Sequence, residues 1–111
     1  MAELTDELLN QMVDTIVREV QPRYVYLFGS RARGDAREDS DADFLVVDSG
    51  EFGPGRERSL ETVRLYRALA TYPIDVDVLM YTVPEFEYRR TGRNNVVARA
   101  VREGRVVYER P

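Results

Sequence analysis

The sequence predicts an α/β fold, in which one domain over residues 1–111 has a small mixed β-sheet packed with helices. We expect three main strands and a short edge strand. Short apolar segments of strand character alternate with longer segments whose apolar residues recur at helical spacing, and this alternation is typical of helices packed on a sheet. The 111 residues are 43% apolar and 32% charged, which is the balance of one globular domain.

The chain begins with a predicted amphipathic helix, for which we expect Thr5 to be the cap and Pro22 to mark the end. The apolar residues of this helix recur at spacings of one and three, and they are Leu8, Leu9, Met12, Val13, Ile16, Val17 and Val20. Residues 24–28, YVYLF, are predicted to form a buried strand, and residues 31–34 a short helical turn.

The middle of the chain alternates between strands and a helix. Residues 42–47, ADFLVV, have the continuous apolar character of a strand that is covered on both faces. Residues 58–72 are predicted to form a helix, and residues 74–81, IDVDVLMY, a third strand. The side of this helix that we expect to be buried carries Leu60, Val63, Tyr66 and either Leu69 or Ala70.

The last part of the chain is predicted to be mainly helical. The segment from Thr82 to Glu85 has the spacing of a capping box, with a proline near the helix start. We expect the helix to be interrupted near Gly92 and to resume at about residues 94–103, with Gly104 at its C-cap. Residues 105–108 are predicted to form the short edge strand.

The composition excludes several kinds of chemistry. The chain has no cysteine, histidine, lysine or tryptophan, so thiolate and imidazole catalysis, cysteine zinc sites and a Walker-type phosphate loop are all excluded. The groups that remain are carboxylates, hydroxyls, guanidinium groups and the backbone. Carboxylates favour hard cations such as magnesium.

Charge and hydropathy limit the partners. The net charge of -4 argues against a broad nucleic-acid surface, which would usually be basic. No apolar run approaches the ~20 residues of a membrane helix, so no membrane partner is expected. The N-terminal residues lack the pattern of a secretory signal, and we expect a cytoplasmic location.

Four aspartates lie in alternating positions on two predicted strands. Asp41 and Asp43 open the second strand, and Asp75 and Asp77 lie in the third. Alternate residues of a strand share a face, and a right-handed crossover would make these two strands parallel and adjacent. Carboxylates crowded in this way raise each other's pKa unless a cation holds them, so the pattern predicts a divalent metal site.

A phosphate-binding segment is predicted beside these carboxylates. Gly29 and Ser30 end the first strand, where glycine lets an anion approach the backbone and serine offers a hydroxyl. Arg31 and Arg33 add positive charge, and contact with phosphate and simple surface charge are equally good interpretations of them. The neighbouring Asp35, Glu38 and Asp39 are interpreted as solvated loop residues, Ser40 as a brace of the loop, and the seven tyrosines mainly as packing residues.

These residues resemble a known family. The run Gly29-Ser30, ten residues, Asp41-Ala42-Asp43 is the GSx10DxD signature of the MNT-type minimal nucleotidyltransferases, which belong to the DNA polymerase β-like superfamily. The resemblance covers most of the chain and implies the nucleotidyltransferase fold. It also implies that Gly29 and Ser30 grip a triphosphate and that Asp41 and Asp43 bind metal. A third aspartate would complete the site and deprotonate the acceptor; we choose Asp77, with Asp75 as the alternative.

The resemblance also implies a function. Stand-alone proteins of this family commonly act as antitoxins of HEPN-domain ribonuclease toxins, with which they form complexes, and transfer AMP from ATP to a tyrosine hydroxyl of the toxin. We therefore expect a protein adenylyltransferase that uses Mg²⁺ or Mn²⁺ and forms a hetero-oligomer, with its acceptor on a partner molecule. The alternatives are an antitoxin that binds a nucleotide and neutralises its partner by contact alone, and transfer to a small molecule or an RNA end.

Overall fold

Four strands form one mixed sheet in the order β3-β2-β1-β4. The structure is a computed structural model that describes residues 3–37 and 39–111. The strands are β1 (Tyr24–Phe28), β2 (Ala42–Asp48), β3 (Val76–Thr82) and β4 (Arg105–Glu109). β1 is antiparallel to both β2 and β4, whereas β2 and β3 are parallel. The predicted mixed α/β sheet, its parallel pair and its short edge strand are confirmed.

Five helices cover the two faces of this sheet. They are α1 (Asp6–Val20), α2 (Ser30–Arg33), α3 (Arg58–Leu69), α4 (Val83–Arg89) and α5 (Val96–Glu103). Phe44 and Val46 of β2 pack in one core with α1 and α3, while Leu45 and Val47 pack in a second core with α4 and α5. Because side chains alternate along a strand, Asp43 lies on the α4/α5 face.

The first helix forms as its sequence predicts. Thr5 is the N-cap, and its hydroxyl accepts a hydrogen bond from the Leu8 amide at 3.1 Å. Asp6 and Glu7 lie in the first turn, where negative charge stabilises the positive end of a helix. The helix ends at Gln21, which adopts a left-handed conformation with φ of 49° immediately before Pro22.

The buried side of α3 agrees with the prediction at Leu69, while Ala70 is exposed, and it differs at the other predicted positions. Leu60, Val63 and Tyr66 are 63%, 45% and 36% exposed, whereas Leu65 and Leu69 are fully buried. The two sets are interleaved on the helix, so periodicity alone fits either one. Two leucines bury only apolar atoms against the core, while the tyrosine would also bury a hydroxyl, and this favours the observed orientation. The helix also ends at Leu69 rather than at residue 72.

The two helices after β3 begin and end close to the positions that the sequence predicts. The Thr82 hydroxyl accepts a hydrogen bond from the Glu85 amide at 3.3 Å, and the Glu85 carboxylate accepts one from the Thr82 amide at 2.8 Å, which confirms the capping box. α4 ends before Gly92, and α5 begins after Asn95, whose side chain accepts a hydrogen bond from the Ala98 amide at 2.9 Å. Gly104 follows α5 as its C-cap, as expected.

A buried ion pair ends β2. Asp48 is only 2% exposed, and both of its oxygens accept hydrogen bonds from the guanidinium of Arg56, at 2.6 and 2.7 Å. The Gly50 amide donates a further bond at 2.8 Å. A buried carboxylate needs such partners, and they tie the loop after β2 to the sheet. None of the helices in the described part of the chain is long and apolar enough to cross a membrane.

Candidate active site

Three aspartates lie together at one end of the sheet. The parallel register aligns Asp43 of β2 with Asp77 of β3, and the antiparallel register places Phe28, the last residue of β1, opposite Asp43. Asp41 precedes Asp43 by two residues. Since alternate residues of a strand share a face, the carboxylates of Asp43 and Asp77 lie on the α4/α5 face of the sheet, where β1 ends and β2 and β3 begin. Asp41 lies just before β2, and its charge acts on Asp43.

The carboxyl group of Asp43 has a perturbed pKa. Partial burial raises its pKa, the negative charges of Asp77 and Asp41 raise it further, and Arg33 opposes them, which leaves the pKa at about 6. Burial is the largest cause of this shift, and the neighbouring carboxylates add to it in the direction that crowding predicts. A cation placed among these groups would relieve both their repulsion and the cost of burying charge.

Asp75 occupies a different position from Asp77. It lies before the first residue of β3, and its backbone carbonyl accepts a hydrogen bond from the Ala42 amide at 2.8 Å. Asp75 also lines a small pocket at the C-terminal end of α3, together with Leu69 and Tyr72. Its charge is not among those that shift the pKa of Asp43. The geometry thus brings Asp77, rather than Asp75, next to Asp43.

Gly29 brings the end of β1 into contact with Asp43. Its backbone has φ of 74° and ψ of -158°, a region that essentially only glycine occupies. A Cβ atom on Gly29 would lie 2.1 Å from Asp43 Oδ2, so a side chain has no room there. Ser30 begins α2, and the Gly29 carbonyl accepts hydrogen bonds from the amides of Ala32 and Arg33, both at 3.1 Å. The predicted phosphate-binding segment and the predicted carboxylate cluster are therefore adjacent.

The two arginines of α2 have different surroundings. Arg31 donates from Nε and Nη2 to the carbonyl of Ser40, at 3.1 and 2.8 Å, and so braces the loop that leads into β2. Arg33 pairs with exposed Asp35 at 3.4 Å, and its positive charge lowers the pKa of Asp43. The structure therefore associates Arg33 with the carboxylate cluster and Arg31 with the loop.

The loop between α2 and β2 is braced as predicted. The Ser40 hydroxyl accepts a hydrogen bond from the Arg37 amide at 2.8 Å, and the Ser40 amide donates to the Arg37 carbonyl at 3.1 Å. Asp35 and Asp39 are exposed, in agreement with a solvated loop. Glu38 lies outside the described residues.

Tyr66 is a site residue that the sequence interpretation assigned to packing. Its hydroxyl donates to Asp77 Oδ1 at 3.0 Å and accepts from the Val78 amide at 2.9 Å. Partial burial raises the pKa of this hydroxyl, and the negative charges of Asp77 and Asp41 raise it further. Tyr66 and Asp77 are eleven residues apart on different elements, so no local pattern signals this contact.

The donor set fits a hard cation. Asp41, Asp43 and Asp77 offer only carboxylate oxygens, which suit Mg²⁺ or Mn²⁺. Within residues 3–37 and 39–111, no three acidic side chains already converge at metal-ligand distances. A cation would therefore have to draw these carboxylates together.

An apolar groove runs beside the cluster along the outer edge of β3. It has a volume of about 700 Å³ and is lined by Val78 to Tyr81 of the strand and by Arg58, Ser59 and Thr62 of α3. The groove begins one residue after Asp77, and none of the four aspartates lines it.

Comparison with solved structures supports the architecture. A crystal structure of a toxin–antitoxin with AMP-PNP superposes with a TM-score of 0.60 at 20% identity, covering 90% of this chain and 73% of that one. A mutant of the toxin–antitoxin MntA-HpeT gives 0.59 at 19% identity, with 91% and 73% covered. A candidate minimal nucleotidyltransferase gives 0.52 at 29% identity, with 86% and 85% covered. At these identities we take the first two as evidence of fold alone.

The sequence also matches a family model over most of its length. No curated protein matches the chain significantly. The model of the polymerase beta nucleotidyltransferase domain, in contrast, matches residues 10–111, which contain all of the strands and the four aspartates. The protein therefore belongs to the polymerase beta nucleotidyltransferase family.

Proposed function

We propose that this protein is a catalytically active nucleotidyltransferase that uses ATP and a divalent cation, Mg²⁺ or Mn²⁺. The observation that carries the proposal is the alignment of Asp43 with Asp77 across the parallel strands, with Asp41 close enough to act on Asp43. These three aspartates would hold the metal. Its contribution when bound would be to neutralise the triphosphate and polarise the reacting oxygens.

The residues around Gly29 are proposed to hold the triphosphate. The missing side chain of Gly29 lets the backbone lie against Asp43, so a phosphate bound at the start of α2 would be next to the proposed metal ligands. Ser30 adds a hydroxyl at the start of α2, and Arg33 adds a positive charge near the cluster. Arg31 supports this surface indirectly, because its guanidinium holds the loop that leads to Asp41.

The proposed reaction is a displacement at the α-phosphorus of ATP. The hydroxyl oxygen of the acceptor forms a bond to this phosphorus, and the bond to the pyrophosphate oxygen breaks. The acceptor proton passes to a carboxylate, for which we propose Asp77, since this residue is at the edge strand and is exposed. The products are an AMP ester of the acceptor, pyrophosphate and one proton.

We further propose that the protein is an antitoxin whose acceptor is a tyrosine hydroxyl of a HEPN-type ribonuclease toxin. The support is the MNT signature in the sequence and the similarity of the fold to two toxin–antitoxin structures, one of which contains AMP-PNP. AMP-PNP is an ATP analogue that resists hydrolysis between its last two phosphates. A toxin that acts on RNA and an antitoxin that consumes ATP would meet in the cytoplasm.

One observation favours an alternative, in which the protein neutralises the toxin by binding alone. Among the described residues, the aspartates do not form a ready-made three-carboxylate site. An antitoxin with a weak active site could still bind a nucleotide through Gly29 and Ser30 and cover its partner. The intact set of Asp41, Asp43 and Asp77 beside Gly29 and Ser30 supports the catalytic function, because this set contains every group that the proposed transfer uses.

Asp43→Asn distinguishes the two functions. The toxin encoded beside this protein is incubated with Mg-ATP and either the wild type or the variant, and then ribonuclease activity and complex formation are measured. If the protein is catalytic, Asp43→Asn forms the complex but leaves the toxin active after the complex is dissociated. Equal neutralisation by both proteins, lost on dissociation, would instead establish neutralisation by contact. Asp14→Asn is the matched control, because Asp14 is exposed and lies in α1, outside the cluster.

A further inference from the structure

Tyr66 connects α3 to the carboxylate cluster. Its hydroxyl bridges two groups of β3, the side chain of Asp77 and the backbone amide of Val78, at 3.0 and 2.9 Å. β3 is an edge strand, so the Val78 amide on its outer side has no neighbouring strand to bond. The hydroxyl oxygen of Tyr66 therefore accepts the hydrogen bond of an edge-strand amide and also contacts a carboxylate of the cluster.

The direction of each hydrogen bond follows from its groups. The Val78 amide can only donate, so it occupies a lone pair of the tyrosine oxygen. The hydroxyl proton is then available for Asp77 Oδ1, which as a carboxylate oxygen accepts it. Hydrogen bonds in such a chain polarise one another, and the bond to the charged carboxylate is the stronger of the two.

The helix that presents Tyr66 is held firmly. Leu65 and Leu69, on either side of Tyr66 in α3, are fully buried in the core. The tyrosine ring is thus fixed at its helix end by packing and at its hydroxyl end by a backbone amide. Asp77, in contrast, is exposed on an edge strand, where a short carboxylate side chain would otherwise sample several rotamers.

We propose that Tyr66 is a positioning residue for the metal site: it holds Oδ1 of Asp77 and leaves Oδ2 for a divalent cation. This inference rests on the proposed role of Asp77 as a metal ligand. A hydrogen bond from an outer group to a ligating carboxylate fixes the rotamer of that ligand before the metal binds, which lowers the entropic cost of binding. The tyrosine oxygen already accepts a hydrogen bond from the Val78 amide and donates one to Asp77, so we assign it to orienting the carboxylate rather than to binding the nucleotide.

The affinity for Mn²⁺ tests this role without any transfer reaction. Mn²⁺ is titrated into the wild type, Tyr66→Phe, Asp77→Asn and the double variant, with bound metal measured by electron paramagnetic resonance. Tyr66→Phe keeps the ring and removes only the hydroxyl, and we expect Mn²⁺ affinity to fall by about tenfold or more. In the Asp77→Asn background the same change should have little further effect, because it acts through the missing carboxylate.

Tyr72→Phe is the matched control. The Tyr72 hydroxyl forms hydrogen bonds with the Thr15 hydroxyl at 2.7 Å and the Gln11 carbonyl at 3.1 Å, and neither partner is a proposed metal ligand. Tyr72→Phe should therefore change thermal stability but leave Mn²⁺ affinity unchanged. Melting temperatures of all variants show how much of any effect is loss of fold.

Each outcome has a distinct meaning. Wild-type Mn²⁺ affinity in Tyr66→Phe, an equal loss in Tyr72→Phe, or additive losses in the double variant would overturn the positioning role. Wild-type affinity in Asp77→Asn would overturn the assignment of Asp77 and the positioning role together. If the metal data follow the expectation but no AMP is transferred to any toxin, the proposed function fails and the role of Tyr66 stands.

Discussion

Gly29→Ala adds one methyl group where the end of β1 meets Asp43. The new Cβ would lie 2.1 Å from Asp43 Oδ2, whereas real Cβ atoms essentially never approach a heavy atom within 3.0 Å. The carboxylate must therefore move by about 0.9 Å or more, or the backbone must shift. The φ of 74° and ψ of -158° at this position also disfavour any side chain, at a cost of about 1–3 kcal/mol.

Two separate losses follow from this geometry. Thermal and urea unfolding should show a loss of stability of about 1–3 kcal/mol from the backbone conformation. A misplacement of about 1 Å in a group that holds the reacting atoms costs on the order of 100-fold in rate. We therefore expect AMP transfer to fall by about two orders of magnitude at temperatures where the variant remains folded.

Gly55→Ala separates the two effects. Gly55 has a similar φ of 84°, but nothing lies within 4 Å of the position of an added Cβ. This control should lose stability and keep the transfer rate. The reasoning would be refuted if folded Gly29→Ala transferred AMP at the wild-type rate, or if Gly55→Ala lost as much activity as Gly29→Ala.

Three further predictions concern the fold. Burial would raise the pKa of Asp48, but hydrogen bonds from Arg56 and Gly50 outweigh it and hold the pKa below its usual value. This group therefore stabilises the fold above its unfolded pKa of about 3.9, and the contribution is lost as the pH falls through the lower folded pKa. As the pH falls from 6 to 2, the urea midpoint of Arg56→Gln should decrease less steeply than that of the wild type. Arg56→Gln should also be about 2 kcal/mol less stable at pH 7. The same pH dependence in both proteins would contradict the role of Arg56 in lowering the pKa of Asp48. Leu65→Ala should cost about 2–5 kcal/mol in urea unfolding and exposed Leu60→Ala within about 0.5 kcal/mol, and the reverse order would show that the opposite side of α3 is buried. Thr82→Ala removes the cap of α4 and should lower the unfolding free energy by about 1 kcal/mol, with no change expected if the capping box does not form in solution.

Because strands have a strict period, the sequence was sufficient to predict that carboxylates of β2 and β3 meet at one end of the sheet, but it predicted four aspartates there and the structure sets Asp75 apart. Asp41 and Asp43 share a face by alternation, and a right-handed crossover through α3 makes β2 and β3 parallel. What alternation could not supply was the register between the strands. Only the pairing of Asp43 with Asp77 separates Asp77 from Asp75, and pairing depends on contacts between distant segments.

Helix periodicity predicted the buried side of α1, whereas on α3 it identified Leu69 but missed Leu65. On α1 a single apolar stripe exists, whereas α3 has two interleaved sets of apolar residues, and the tertiary core selected Leu65 and Leu69. The contact between Tyr66 and Asp77 could not be predicted from the sequence for the same reason. It depends on the rotation of α3 about its axis, which packing decides and the local pattern does not.

The central claim is that this protein transfers AMP to a partner by means of Asp41, Asp43 and Asp77. Intact mass spectrometry of the proposed HEPN-type partner, after incubation with Mg-ATP and the purified protein, tests this claim most directly. We predict increments of whole AMP units on the toxin with the wild type and none with the Asp41→Asn/Asp43→Asn double variant. A stable complex without any increment, or the same increments with the double variant, would contradict the account.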